Sequence, residues 1–184
     1  MFIKFIFIAL AYLVFAYYVF RVFVRRDYKI HKKLSPTSYI LETLVFAVHA
    51  NMFYLNIPTK WPYIPAIPEN LELRIISAMI FGIGIIILLV AWFTLGTKPS
   101  FGIDKNKLRI DGVYGFTRNP QLLGYGLILV SISILFNSWL TPIWLLLYLI
   151  TSYFMIQSEE EFLEQKYKED YKEYCKRVPR IFGF

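Results

Sequence analysis

Residues 119–158 read NPQLLGYGLILVSISILFNSWLTPIWLLLYLITSYFMIQS, forty consecutive positions without a lysine, arginine, aspartate or glutamate. A single helix of that length would extend roughly 60 Å, about twice the hydrocarbon thickness of a bilayer. The midpoint is Asn137-Ser138, a turn signal, and Pro142 falls where a helix first turn tolerates proline. The stretch therefore predicts a helical hairpin that crosses a membrane, turns, and returns.

Working outward, residues 75–97 form a second charge-free run long enough for one crossing. Residues 5–20 form a third, extended by Val22, Phe23 and Val24. Residues 38–57 are a weaker fourth because they contain Glu42, His49 and Asn51, but Ser35-Pro36-Thr37 before them reads as a helix start. The first run has features of a secretory leader. Its length, the single Lys4 before it and the basic cluster directly after it predict a retained helix instead. The expected fold is an all-α integral membrane protein of five transmembrane helices with a C-terminal cytoplasmic amphipathic helix. It forms one membrane domain over 1–184, with helices at about 2–24, 38–57, 73–97, 119–136 and 139–157, a loop at 98–118 and a tail at 158–184.

Composition agrees. The chain is 57% hydrophobic and 18% charged, against roughly 25% charged in an average soluble domain. That balance excludes disorder, a collagen-like fibre and a disulfide scaffold. Cys175 is the sole cysteine, so no disulfide forms within the chain, and it is expected to be an incidental thiol. Two distant histidines are no metal site.

The bases give the orientation. Arg21, Arg25, Arg26, Lys29, Lys32 and Lys33 follow the first crossing. Lys98, Lys105, Lys107, Arg109 and Arg118 lie between the third and fourth. Lys166, Lys168, Lys172, Lys176, Arg177 and Arg180 are in the tail. Five crossings put these seventeen of twenty bases on one side, leaving Lys4, Lys60 and Arg74 for the other. The positive-inside rule then predicts an external N-terminus and a cytoplasmic C-terminus, in the plasma membrane of a prokaryote or the endoplasmic reticulum of a eukaryote. The net charge of +7 is thereby assigned to anionic membrane lipids, not to nucleic acid. On the external side, residues 56–70 carry Pro58, Pro62, Pro65 and Pro68 with Trp61 and Tyr63, an extended interfacial loop.

Polar groups converge in two cytoplasmic segments. In the first, Gly96, Pro99, Gly102, Gly112 and Gly115 break any helix before Arg118-Asn119-Pro120 opens the next one. N–H groups at that helix start are available to an anion or a ligand's acceptor atoms. In the second, Glu159-Glu160-Glu161 end the charge-free run. Leu163, Tyr167, Tyr171, Tyr174 and Val178 then recur at three-to-four spacing, an apolar stripe.

These segments resemble the isoprenylcysteine carboxyl methyltransferase and phospholipid methyltransferase superfamily of integral membrane methyltransferases. The resemblance rests on Leu108, Gly112, Tyr114, Arg118, Asn119, Pro120 and Gly124. After the hairpin it continues through Glu159, Glu160, Leu163, Tyr167, Tyr171, Tyr174, Val178 and Pro179, covering about half the chain. Asn119 stands where histidine is commoner, Leu122 replaces a tyrosine and Lys168 replaces a glycine. Met155 occupies the place of an arginine found in prenylcysteine-specific members, which weakens that particular acceptor.

The resemblance implies S-adenosylmethionine as cofactor and a lipophilic acceptor entering from the bilayer: an isoprenylcysteine-like carboxylate, a phospholipid amine or another small lipid. It implies Arg118 and Glu160 as catalytic residues. It implies a cofactor-binding set of Asn106, Lys107, Leu108, Arg109, Tyr114, Asn119, Pro120, Gln121, Leu122 and Glu159, with 106–109 as a strand beneath the adenosine. Glu160 has a rival reading as an ion-pair partner of Arg118 or of a tail base, and Glu161 reads as a solvated face. Two other functions compete: an NADPH-dependent membrane reductase of the sterol-reductase type, and a non-catalytic lipid-binding protein. No G-x-G-x-x-G follows a strand, and Gly82-Ile83-Gly84 reads as helix packing. Glu42 and His49, seven residues apart, share a helix face, where a hydrogen bond to a neighbouring helix is the expected use of His49.

Overall fold

The computed structural model describes residues 2–56, 65–95, 108, 110–136 and 138–181. Every regular element among them is helical. Helix α1 (Phe2–Tyr17) passes through a π-helical segment, Tyr18–Val24, into α2 (Arg25–His31). There follow α3 (Pro36–Asn51), the single turn α4 (Phe53–Asn56), α5 (Leu71–Leu95), a short 3-10 turn at Gly112–Gly115, α6 (Pro120–Leu135) and α7 (Thr141–Arg177).

Among the described residues, three helical stretches are long and apolar enough to cross a membrane: Ile3–His31, Leu71–Thr94 and Thr141–Arg177. The other two expected crossings, α3 and α6, are 16-residue helices, about 24 Å each, and are shorter than the hydrocarbon of an average bilayer. Large apolar side chains of α5, among them Ile76, Met79, Ile83, Ile86 and Phe93, face outward. Such a continuous apolar surface suits lipid contact rather than water.

The first stretch buries one face. Phe5, Ala9, Tyr12, Ala16, Val19, Phe20 and Val24 recur at three-to-four spacing and enter the core with Trp144, Leu147, Tyr148 and Ile156 of α7. Thr151 Oγ1 donates to Tyr12 Oη at 2.9 Å across this contact. Lower down, Ser158 Oγ donates to the Phe20 carbonyl at 2.8 Å, within the π-helical segment. Arg21 and Arg25 both reach Glu161, at 2.7 and 2.6 Å. Glu161 is therefore not the solvated face its sequence suggests: its carboxylate ties α7 to the first helix.

Helix α3 starts as its sequence predicts. Ser35 Oγ accepts from the Ser38 N–H, Pro36 occupies the first turn, and the Asp27 carboxylate accepts the Ser35 N–H at 2.9 Å. At its far end His49 is fully buried and stacks on Trp144 with ring centroids 5.3 Å apart. His49 Nε2 lies 3.0 Å from the Trp144 carbonyl, and Trp144 Nε1 donates to the His49 carbonyl at 2.9 Å. His49 thus serves helix packing.

Helices α5 and α6 run antiparallel and touch most closely at two glycines. A methyl group at Gly84 would sit 2.7 Å from the Gly124 carbonyl oxygen, and one at Gly124 would sit 2.7 Å from the Gly84 carbonyl oxygen. Gly84 is therefore the packing glycine of the Gly82-Ile83-Gly84 pair, as small residues allow in membranes. Gly82 meets nothing within 4 Å.

Helix α7 does not stop at the charge boundary near residue 157. It continues through Glu159–Glu161 to Lys168, where φ 46° and ψ −115° interrupt the helical path, and resumes to Arg177. Beyond the kink Tyr171, Tyr174 and Val178 are buried in a small apolar cluster with Leu108, Leu163 and Tyr167. The stripe seen in the sequence is thus a packed face.

Candidate functional site

The charged end of the hairpin is built from three chain segments. Arg118 immediately precedes α6, Glu160 lies on α7, and residues 179–180 follow α7. The backbone holds the first and third together. The Arg118 N–H donates to the Pro179 carbonyl at 2.9 Å, while Thr117 Oγ1 and Asn119 Nδ2 each donate to the Arg180 carbonyl at 2.9 Å. Tyr174 Oη donates to the Tyr114 carbonyl at 2.7 Å. The Pro179-Arg180 pair of the tail is thereby docked on Thr117-Arg118-Asn119.

Glu160 links the side chains. Its Oε1 accepts from Arg118 Nη1 at 2.8 Å and from Arg180 Nε at 3.0 Å, and its Oε2 accepts from Arg180 Nη2 at 2.6 Å. The Arg118 and Glu160 side chains are only 13% and 17% exposed, so this pair is shielded more than a surface salt bridge. Hydrogen bonding to Glu160 also raises the Arg180 pKa above its ordinary value. Both rival partners proposed for Glu160 from sequence, Arg118 and a tail base, are present at once.

Arg118 Nη1 also lies 2.8 Å from Cys175 Sγ and 3.4 Å from Tyr171 Oη. Its Nε is buried with no hydrogen-bond partner among the described residues. A buried guanidinium N–H without an acceptor is costly, and it marks a place for an anion or another acceptor atom. Next to it, the start of α6 is uncapped. Asn119 makes no side-chain bond to the first turn, and its Nδ2 donates instead to the Arg180 carbonyl. The N–H groups of Gln121 and Leu122 in that turn have no intrahelical acceptor. Arg118 Nε and these two N–H groups are donors on neighbouring residues, of the kind an anion accepts from.

The other expected residues divide. Tyr114 is buried, and burial pushes its pKa well above the ordinary tyrosine value, so it stays neutral. Pro120 and the Leu122 side chain are buried, Leu122 in the main core, which leaves the Leu122 backbone N–H as its contribution to a ligand. Gln121 and Glu159 are half-buried. Leu108 packs against the Tyr171–Tyr174–Val178 cluster. Asn106, Lys107 and Arg109 lie outside the described residues.

Sequence reading did not single out Thr117, Tyr171, Cys175 or Arg180 for this site. Tyr171 and Cys175 are four residues apart and so share the face that meets Arg118. That spacing was the available signal. Among the described residues no group of three or more His, Cys, Asp or Glu side chains could hold a metal.

A family model described as phospholipid methyltransferase matches residues 73–170, which include most of α5, all of α6, Arg118 and Glu159–Glu161 of α7. No curated protein and no solved structure matches the chain.

Proposed function

The chain belongs to the phospholipid methyltransferase family of membrane methyltransferases, and from that premise we propose that it transfers a methyl group from S-adenosylmethionine to a lipophilic acceptor at the cytoplasmic membrane face. The observation that carries this reading is the donor set around Arg118. It combines a shielded guanidinium with a buried, unpartnered Nε, and it adjoins an uncapped helix start.

S-adenosylmethionine, when bound, supplies a methyl carbon made electrophilic by its sulfonium centre. The chain's own task is alignment and exclusion of water more than covalent chemistry. Arg118 and the first-turn N–H groups of α6 hold a carboxylate, with the planar guanidinium fixing its orientation. Glu159 takes the ammonium group of the same ligand. Glu160, with both oxygens already engaged by Arg118 and Arg180, positions Arg118 rather than reacting. The resemblance to the superfamily implies that residues 106–109 contact the adenosine and that Tyr114 belongs to the cofactor-contacting segment.

Two facts favour a phospholipid amine as acceptor over an isoprenylcysteine carboxylate: the family description, and Met155 in place of the arginine of prenylcysteine-specific members. An amine gives up a proton on methylation, and in this reading Glu159 receives it. The clustering of seventeen bases on one side supports an external N-terminus and a cytoplasmic site.

Calorimetry tests the binding half of this proposal. Detergent-purified protein is expected to bind S-adenosylhomocysteine, and Arg118→Ala to weaken that binding about tenfold or more, the worth of one charge-assisted hydrogen bond. Binding of NADPH in its place would move the assignment to a reductase. Binding of neither would leave a non-catalytic lipid-binding protein.

A further inference from the structure

At the end of the bundle remote from Arg118, a cavity of about 910 Å³ opens between α5, α6 and the end of α3. Helix geometry sets the separation. The α6 wall includes Ile128 and Ser131, eight and eleven residues beyond the first residue of α6, so roughly 12–17 Å along its axis. Because α5 runs antiparallel to α6, its wall comes from the first half of α5.

That wall is ordered by polarity. Arg74, Ser77 and Phe81 line the cavity at three- and four-residue spacing on one helix face, with Gly82 beside Phe81. Arg74 is at the exposed rim. Its guanidinium donates to the Pro68 and Ile67 carbonyls and has no carboxylate partner among the described residues. Glu72, two residues away, points to the other side of the helix. Ser77 lies about 4.5 Å deeper. It is 3% exposed, and its Oγ has no hydrogen-bond partner among the described residues. Deeper still the lining is apolar, with Phe81, Ile128 and Trp144. At Gly82, where an added Cβ would meet nothing within 4 Å, the missing side chain leaves room for the cavity to continue.

A cation at the rim, a buried unsatisfied hydroxyl one turn below and an apolar hollow beyond match, in order, the phosphate, the acyl ester carbonyl and the acyl chain of a glycerophospholipid. We propose that this cavity binds one glycerophospholipid from the leaflet opposite the Arg118 site. Its phosphate pairs with Arg74, its ester carbonyl accepts from Ser77 Oγ, and one acyl chain runs past Gly82. This lipid is separate from the methyl acceptor, since its headgroup lies at the far membrane surface. The inference does not depend on the methyltransferase reading.

Native mass spectrometry of the full-length protein in detergent tests it, with dioleoyl phosphatidylglycerol as probe and dioleoylglycerol as the phosphate-free control. The wild type is expected to retain one phosphatidylglycerol per chain and to bind the control about tenfold more weakly, as loss of a charged hydrogen bond requires. Gly82→Leu, which fills the hollow, is expected to abolish retention, and Arg74→Gln to weaken it about tenfold. S-adenosylhomocysteine binding by both variants should equal that of the wild type, so a failure of this proposal is separable from a failure of the enzymatic one. A photoreactive acyl chain on the wild type supplies a measurement independent of any variant. Adducts on Ile128 or Trp144 support the site. Adducts confined to the outward residues Ile76, Met79 and Ile83 would overturn it, as would full retention by Gly82→Leu or equal binding of the two probes.

Discussion

Arg118 and Glu160 close the two ends of the charge-free hairpin. Their Nη1 and Oε1 atoms are 2.8 Å apart although the residues are separated by 42 positions in the chain. Apart from Glu159, which adjoins Glu160, no residue of the span between them carries a charge. The site depends on the hairpin, because the chain must reverse direction between α6 and α7 to bring the charge before α6 to the charge on α7. Glu160 also holds Arg180, so the tail is locked over the same point.

This arrangement predicts that Glu160 acts through Arg118. Glu160→Gln leaves the shape but removes the charge shared by the two arginines. It is expected to lower S-adenosylhomocysteine affinity about tenfold and to cost about 1–2 kcal/mol of stability, a value kept low because Arg180 is exposed. Glu160→Asp should recover part of the affinity in calorimetry. Unchanged affinity in Glu160→Gln would show that Arg118 holds its orientation without Glu160.

Lys168 predicts a gain in stability. Its φ of 46° lies where a side chain is strained and glycine is not. It is also the position where the resembling superfamily carries glycine. Lys168→Gly is expected to stabilise the protein by about 1 kcal/mol, read as a higher thermal midpoint in detergent. A lower midpoint would mean that the lysine side chain compensates elsewhere.

The α5–α6 contact predicts an asymmetry between neighbouring glycines. Gly84→Ala places a methyl 2.7 Å from a backbone carbonyl and is expected to cost about 1–3 kcal/mol as overpacking. Gly82→Ala meets nothing within 4 Å and should be near neutral. Thermal melts of the two variants side by side check this, and equal effects would contradict the packing described.

Glu161 predicts a contact between the first helix and α7. Arg21 and Arg25 share its carboxylate, so Glu161→Ala leaves two partly shielded arginines unpaired. The expected loss is about 1 kcal/mol, diminishing in high salt because the pair is partly exposed. Denaturation at low and high ionic strength reads both terms.

Much of this was legible in the sequence because a bilayer punishes charge. The absence of charge over residues 119–158 marked the two helices α6 and α7, while Asn137 of the expected turn lies outside the described residues. The first, third and last helices were visible for the same reason. Their ends were less so: α7 runs past Glu159–Glu161, since glutamates are good helix formers and Glu161 finds partners sideways. Those partners, Arg21 and Arg25, are more than 130 residues away in the chain, and no local pattern reveals such a pairing. The same limit hid Cys175, which reads as an incidental thiol until Arg118 is brought beside it. Tyr171 and Tyr174 were legible as a stripe, and the burial of that stripe is what places Cys175 next to Arg118.

The central claim is methyl transfer, and the most direct measurement incubates the purified protein with S-adenosylmethionine labelled in its methyl group and a total membrane lipid extract. The account predicts label in a lipid fraction, with an amine-bearing phospholipid as the labelled species, and a loss of about tenfold or more in Arg118→Ala. No labelled lipid from folded wild-type protein, or equal labelling by Arg118→Ala and wild type, would contradict it.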